Sequence, residues 1–432
     1  DGTIASLVKD INPGTASSGP FGLVISNNKI VFRASDGING SELWMSDGTG
    51  ANTTMIADIN PGITGSFANT FTSGNQVFFA ATNGVDGFEV FKLENNPDMI
   101  PGPHIFYVND NNTTNDVFTL GVGSNSNNGS KTYPFASISY AVTKVQPGDS
   151  ILVDAGTYTE QVTLDKGLVI IGAGMNLTSI VKPAVTVPPP GTFTEQGVIQ
   201  TSQSISGDVH LRNISVSGDY TVGVTPVIMQ TGTSIKDCKL LNGNQGVFVR
   251  IDHTLNPAPK VAYLENNVIQ AEYIGINYAG INLQGFLFNN NITVSNPGFS
   301  AGAYIGMDFG SLSQFTATGN FFSSYVTTGI NLNSNISTIN NNSLTGTGLA
   351  IQKIGGSGTP EATCNWYGST DQNIVVPKII GSITYSPWLT SGTDNSTDPG
   401  FQPVPGTCTG RQDKFYVNDN SLTGDVFTTS VG

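Results

Sequence analysis

Charge is what this sequence has least of. Only 11% of its 432 residues are Asp, Glu, Lys or Arg, less than half of the usual ~25%. Lys and Arg number 17 against 31 acidic residues, for a net charge of −14. A surface so poor in cations repels phosphate backbones and anionic membranes, so nucleic acid is excluded as a partner. Histidine is as scarce, with His104, His210 and His253 sharing no spacing that would build a metal site or a catalytic base. The three cysteines, Cys238, Cys364 and Cys408, form no C-x-x-C or Cys/His pattern, which argues against zinc. No apolar run approaches the ~18 residues of a membrane span, so none is expected in this segment. An uninterrupted helical periodicity is missing too.

What is abundant is Gly, Asn, Ser and Thr among β-forming residues, which points to an all-β fold and away from disorder. Repeats organise it. Lys9-Asp10-Ile11-Asn12-Pro13-Gly14 returns as Ala57-Asp58-Ile59-Asn60-Pro61-Gly62, and Gly40-Ser41-Glu42-Leu43-Trp44 returns as Gly87-Phe88-Glu89-Val90-Phe91. Short alternating strands joined by Asp-Gly and Asn-Gly turns fit two propeller-blade-like units over residues 1–95. A second echo is longer-ranged. Residues 415–432 repeat residues 106–123 at 13 of 18 positions, and Asp1-Gly2-Thr3 matches Asp47-Gly48-Thr49. The chain is therefore expected to be a window from a longer array, with 415–432 starting the next unit.

Between these lies a ladder pattern. Asn213, Asn267, Asn291, Asn320, Asn342 and Asn365 each precede an apolar pair or alternation, and Cys238 falls in the same series. Successive spacings are 25, 29, 24, 29, 22 and 23 residues, the length of one turn of a parallel β-helix whose coils stack about 4.8 Å apart. Asn suits the bend because it tolerates left-handed backbone and its amide can ladder with copies above and below. Cys238 then stands in for one rung as an inert thiol. Phe135, Ile138, Val142 and Val145 lie at helical spacing and predict a short helix plugging the open end of the coil. The expected layout is a linker at 96–105, a right-handed parallel β-helix at 106–390 and a Gly/Pro-rich linker at 391–414.

Two resemblances follow from these residues. Glu42-Leu43-Trp44-Met45-Ser46-Asp47-Gly48-Thr49 resembles the ELWxSDGT repeat of long secreted bacterial surface proteins, notably from the Bacteroidota. It implies type IX secretion and display at the cell surface. Residues 134–158, with Cys364-Asn365-Trp366-Tyr367-Gly368-Ser369 and Ser386-Pro387-Trp388-Leu389, resemble the cap and closing segments of the pectate-lyase-like β-helix superfamily. That superfamily includes polysaccharide lyases and glycosidases.

Chemistry is sparse. A lyase needs an acidic calcium cluster and a basic residue, and a glycosidase needs two facing carboxylates. Asp208, Asp219, Asp237, Asp252, Glu265, Glu272 and Asp308 are scattered. Their nearest approach to a constellation is Asp237 with Arg250, Asp252 and His253, and no catalytic or cofactor-binding residue is assigned. Asp110, Asn112 and Asp116 place hard oxygen donors in one loop and are the candidate ligands for calcium, a metal-free polar turn being the alternative. Cys364 and Cys408 bracket the Gly/Pro-rich tail and are a candidate disulfide, two buried free thiols being the alternative. Tyr273, Tyr278, Tyr304, Phe321 and Tyr325 either line a carbohydrate groove or fill the coil. The expected role is a structural, adhesive rod outside the cell, a filament-like spacer. Its expected partners are extracellular polysaccharide, other surface proteins or further copies of itself. The alternative is a polysaccharide-active enzyme or a carbohydrate-binding module.

Overall fold

The computed structural model describes residues 5–26, 29–73, 76–93, 105–189, 194–203, 205–252, 254–255, 258–306 and 310–409. The echo at 415–432, Asp1-Gly2-Thr3, the linker core at 96–104, His104, His253 and Asp308 lie outside these residues. Among them, no helix is long and apolar enough to cross a membrane. The chain divides into two units, residues 1–104 and 105–432.

The first unit holds two antiparallel sheets. One orders Phe21–Ser26, Lys29–Ser35, Ser41–Ser46 and Thr54–Ala57, and the other Asn69–Ser73, Gln76–Thr82 and Phe88–Lys92. The repeated turns use the same chemistry with donor and acceptor exchanged. Asp36 accepts from the backbone of Ile38 and Asn39 and from the Asn39 amide, while Asn83 accepts from Val85 and Asp86 and donates to the Asp86 carboxylate. Glu42 is fully buried, and its carboxylate accepts from Ile59 N at 3.0 Å and Ser66 N at 2.7 Å, tying one repeat to the start of the next. Asp47 takes hydrogen bonds from the Thr49 hydroxyl and the Asn52 amide, which hold its carboxyl down at about 2.

The second unit is a right-handed parallel β-helix, as the 22–29-residue period requires. Each coil contributes three short parallel strands, one to each face. Face A is a nine-stranded sheet running from Ile105–Val108 to Ser337–Asn340. Faces B and C form one fifteen-stranded sheet, because Lys239–Arg250 and Val268–Ala279 turn the corner without breaking. Inward side chains stack coil upon coil. On face A, Leu211, Ile235, Leu264, Leu287, Ala317 and Ile339 lie in register, all fully buried. Each such Leu or Ile contributes roughly 2 kcal/mol. Helix Ile138–Val142 closes one end, burying Ile138, Ala141 and Val142, with Ser137 as its N-cap. Glu160 accepts from Ile138 N and Ser139 N at 2.8 Å each, satisfying two of the free amides of the first turn.

The bend between faces A and B separates two jobs that a single Asn was expected to do. The left-handed residue comes first: Asn213 (φ 55°), Asp237, Asn266, Asn289, Gly319, Asn341 and Cys364 (φ 57°). The rung is the next residue, in order Ile214, Cys238, Asn267, Asn290, Asn320, Asn342 and Asn365. Asn290 Oδ1 accepts from the Asn267 backbone N (3.0 Å) and Nδ2 (2.9 Å). Asn320 does the same for Asn290, Asn342 for Asn320, and Asn365 for Asn342, all at 2.9–3.0 Å. The second proton of each amide goes to a face A carbonyl, Ile235, Leu264, Leu287, Ala317 and Ile339 in turn. Asn267, Asn320, Asn342 and Asn365 are therefore rungs, but Asn213 and Asn291 are not. Asn213 is the left-handed residue before Ile214, and Asn291 begins the face B strand Asn291–Val294. The true rung is Asn290, because only the residue after the left-handed turn points its amide down the coil axis. Cys238 occupies a rung position, its N–H donating to Asn267 Oδ1 at 3.0 Å. Complete burial pushes its thiol up to about 12, so it is inert.

The tail differs from the expected linker at 391–414. Cys364 and Cys408 are joined by a disulfide. Phe401 is fully buried, donates its N–H to Gly319 O at 2.6 Å and meets the Phe321 ring edge-on at 6.0 Å. Thr390 N donates to Thr407 O. The described part of the tail is thus a strap laid along the coils, held by backbone pairing and one buried ring where composition suggested only looseness.

Candidate functional site

The carboxylates of the coil are dispersed and already engaged. Asp208 faces Lys260 at 3.5 Å, Asp219 caps the turn at Tyr220–Val222 and lies 3.7 Å from Lys182, and Glu265 pairs with Lys236 at 3.1 Å. Asp237 sits at a left-handed bend and accepts from Asn266, whereas Arg250 ends the same strand that begins beyond that bend. The candidate grouping of Asp237, Arg250 and Asp252 is therefore split between the two ends of a twelve-residue strand, and Asp252 accepts from Thr254. A shallow cleft on face B contains one carboxylate, Glu272, which accepts from Ser295 Oγ (2.9 Å) and Asn296 Nδ2 (3.1 Å). Glycoside cleavage needs a second carboxylate across the sugar. None of the other residues lining that cleft is acidic.

The acidic loop before the cap is built on its own backbone. Asp110 accepts from Asn112 N at 2.7 Å and Asn112 accepts from Thr114 N at 3.0 Å. Asp154, fully buried, accepts from the N–H groups of Val117, Phe118 and Thr119 and from the Thr119 hydroxyl. Burial alone would raise its pKa. The ring of N–H donors outweighs that, and the carboxyl is held below its usual range. Asp116 has the opposite balance. Its Oδ2 accepts from Asn109 at 2.7 Å, but Oδ1 is buried without a partner. Burial, then the charges of Asp154 and Asp110, raise its pKa. Among the described residues no three Asp, Glu, His or Cys side chains converge as metal ligands would.

Asp116→Asn is accordingly expected to raise the melting temperature by a few degrees at pH 7. A raised native pKa means that the folded state binds the proton more tightly than the unfolded state. The wild type therefore recovers relative stability as pH falls through the raised value towards the ordinary carboxylate range, and the gap should close. Paired thermal melts at pH 7 and pH 4 in chelator measure this. A variant less stable than wild type at pH 7 would contradict it.

The aromatics suspected of lining a groove do not meet. Tyr278 and Tyr325 are fully buried in the coil, Phe321 packs on the strap, and Tyr304 touches Phe299 at 6.0 Å on face C. A different cluster stands on the outside of face A. Tyr263, Phe286 and Phe288 alternate with the buried Ala262, Leu264, Gly285 and Leu287 and are half-exposed. Ring centroids lie 5.3 Å apart for Tyr263 and Phe288, and 6.3 Å for Phe286 and Phe288. The signal was present in the sequence, because these residues stand four and two positions before the rungs Asn267 and Asn290. Counting from Asn291 moves the frame by one and turns Phe286 and Phe288 inward, since strand side chains alternate faces. His210 lies in the same outward row, in register with Ser234 and then Tyr263.

Residues 121–347, more than half of the chain, match the family DUF1565, described as a protein of unknown function. No curated protein matches the chain.

Proposed function

Since the chain belongs to the DUF1565 family, whose function is unknown, we propose its role from its construction: a structural, adhesive segment of a long secreted surface protein. The segment presents a stiff β-helical rod outside the cell. The observation that carries this reading is the buried ladder, in which every amide proton from Asn267 to Asn342 has an acceptor. Bends are ordinarily where a protein yields, and here they are braced coil to coil. A Cys364–Cys408 disulfide supports an oxidising compartment. The likeness of Glu42–Thr49 to ELWxSDGT supports a bacterial cell surface and type IX secretion. An enzyme reading would need paired carboxylates, and those described on the coil are single and engaged. Calcium at Asp110, Asn112 and Asp116 belongs to this proposal as a secondary feature, with the buried Asp116 Oδ1 as the atom a cation would meet.

The test is antibody labelling of intact cells that make the protein. Labelling without permeabilisation is expected. Labelling that appears only after permeabilisation would overturn the surface role.

A further inference from the structure

The outer surface of face A is built as a strip. Outward positions on successive coils lie in register: Ser234, Tyr263, Phe286, Thr316 and Thr338 in one row. The neighbouring row runs Lys236, Glu265, Phe288, Thr318 and Asn340. A third contributes Gln284 and Gln314. Three aromatic rings, with Tyr263 tilted 36° to Phe286 and 45° to Phe288, thus form a plate-like cluster, flanked along the coil axis by hydroxyls and amides that repeat about every 4.8 Å. Aromatic faces pack on apolar C–H surfaces, and hydroxyl and amide groups both donate and accept. A ligand that matches this strip must offer both in alternation at a repeat near one coil, which is the pattern of an extended polysaccharide.

Charge selects among polysaccharides. Charged side chains stand at the ends of the rows: Glu265 is paired with Lys236 at 3.1 Å, Arg212 precedes Lys236, and Glu361 follows Thr338 and accepts from the Thr363 hydroxyl, while the Thr, Asn and Gln positions between them are neutral. The chain as a whole carries −14 and would repel a polyanion. At its far side the strip meets a hollow roofed by the strap, whose walls include Asn289, Thr318 and Asn341 below and Gln402 and Pro403 above. Thr318 is the register partner of Phe288, so the plate leads directly to that hollow.

We propose that the Tyr263–Phe286–Phe288 plate on face A is a binding site for a neutral polysaccharide lying along the coil axis. The site deepens the adhesive reading and rests on it. Its test is nevertheless separate, because cell labelling and glycan retention fail independently. The full chain is run in affinity gels containing neutral β-glucan, xylan or galactomannan and is depleted on cellulose and chitin. Wild type is expected to be retained by at least one of them. Tyr263→Thr/Phe286→Thr and, separately, Phe288→Thr are expected to weaken that retention by about tenfold or more, a loss of about 1.4 kcal/mol or more. Thr is the residue already present in the next coil at both rows and favours strands. If the double variant does not fold, judged by its urea midpoint, Phe288→Thr alone decides. Tyr304→Thr on face C should leave retention unchanged. No retention of wild type on any polymer overturns the proposal. So does retention of the plate variants at wild-type strength, or equal loss in Tyr304→Thr. Plate-dependent self-association without retention would also overturn it, assigning the face to a second copy of this chain.

Discussion

Replacing Asn320 by Ala is expected to cost about 4 kcal/mol. The substitution leaves Asn290 N and Nδ2, both buried, without their acceptor. It also takes donors from Leu287 O and Asn342 Oδ1. A buried donor stranded in this way costs roughly 1–3 kcal/mol, and two are stranded at once. The neighbouring positions give the contrast. Asn213→Ala loses only the residue best suited to φ 55°, roughly 1–2 kcal/mol. Asn291→Ala, at the start of a strand and half-buried, should fall within about 0.5 kcal/mol of wild type. Urea midpoints of the three variants at fixed pH measure the series. Equal losses at 320 and 291 would contradict the one-residue separation of left-handed turn from rung.

That separation marks where sequence reading stops. The period of the coil was legible, because apolar pairs must return to the core once per turn. The residue type at the bend was legible as well. The position within the bend was not, because Asn satisfies both of its demands. In Asn289-Asn290-Asn291 one residue turns left, the next ladders and the third starts a strand, with nothing in composition to rank them. An error of one residue also hid two rings of the plate, since Phe286 and Phe288 are identified by parity from the rung Asn290. The strap was illegible for another reason. Its Gly, Pro, Ser and Thr look like a linker, and its anchorage includes a ring, Phe401, that meets Gly319 and Phe321 from 80 or more residues away. The shape of the Asp110 loop rests on backbone donors to Asp110, Asn112 and Asp154, which residue types do not reveal.

Opening the Cys364–Cys408 disulfide is the second large effect. It closes a loop across a separation of 44 residues, for which loop-closure entropy gives about 4 kcal/mol. Cys408→Ser is the cleaner variant, because Cys364 also supplies the left-handed turn ahead of Asn365. The expected result is a lowered urea midpoint with faster proteolysis within 391–407, the coils themselves staying folded. Thiol counting provides a check. Reduced native protein should expose the Cys364 and Cys408 thiols while Cys238, raised to about 12 and wholly buried, reacts only on unfolding. An unchanged midpoint, or modification of Cys238 in the folded chain, would contradict this.

The central claim is that the bends of this rod are among its most firmly held parts. Hydrogen–deuterium exchange of the full chain tests it at the backbone amides of Cys238, Asn267, Asn290, Asn320 and Asn342, all donors to the next rung. These amides are predicted to exchange as slowly as the flanking strands, through opening of the whole coil stack. The surface turn at Asp36–Asn39 should exchange far faster. Ladder amides that exchange at the rate of that turn would show bends that open locally, and the account of a braced rod would be wrong.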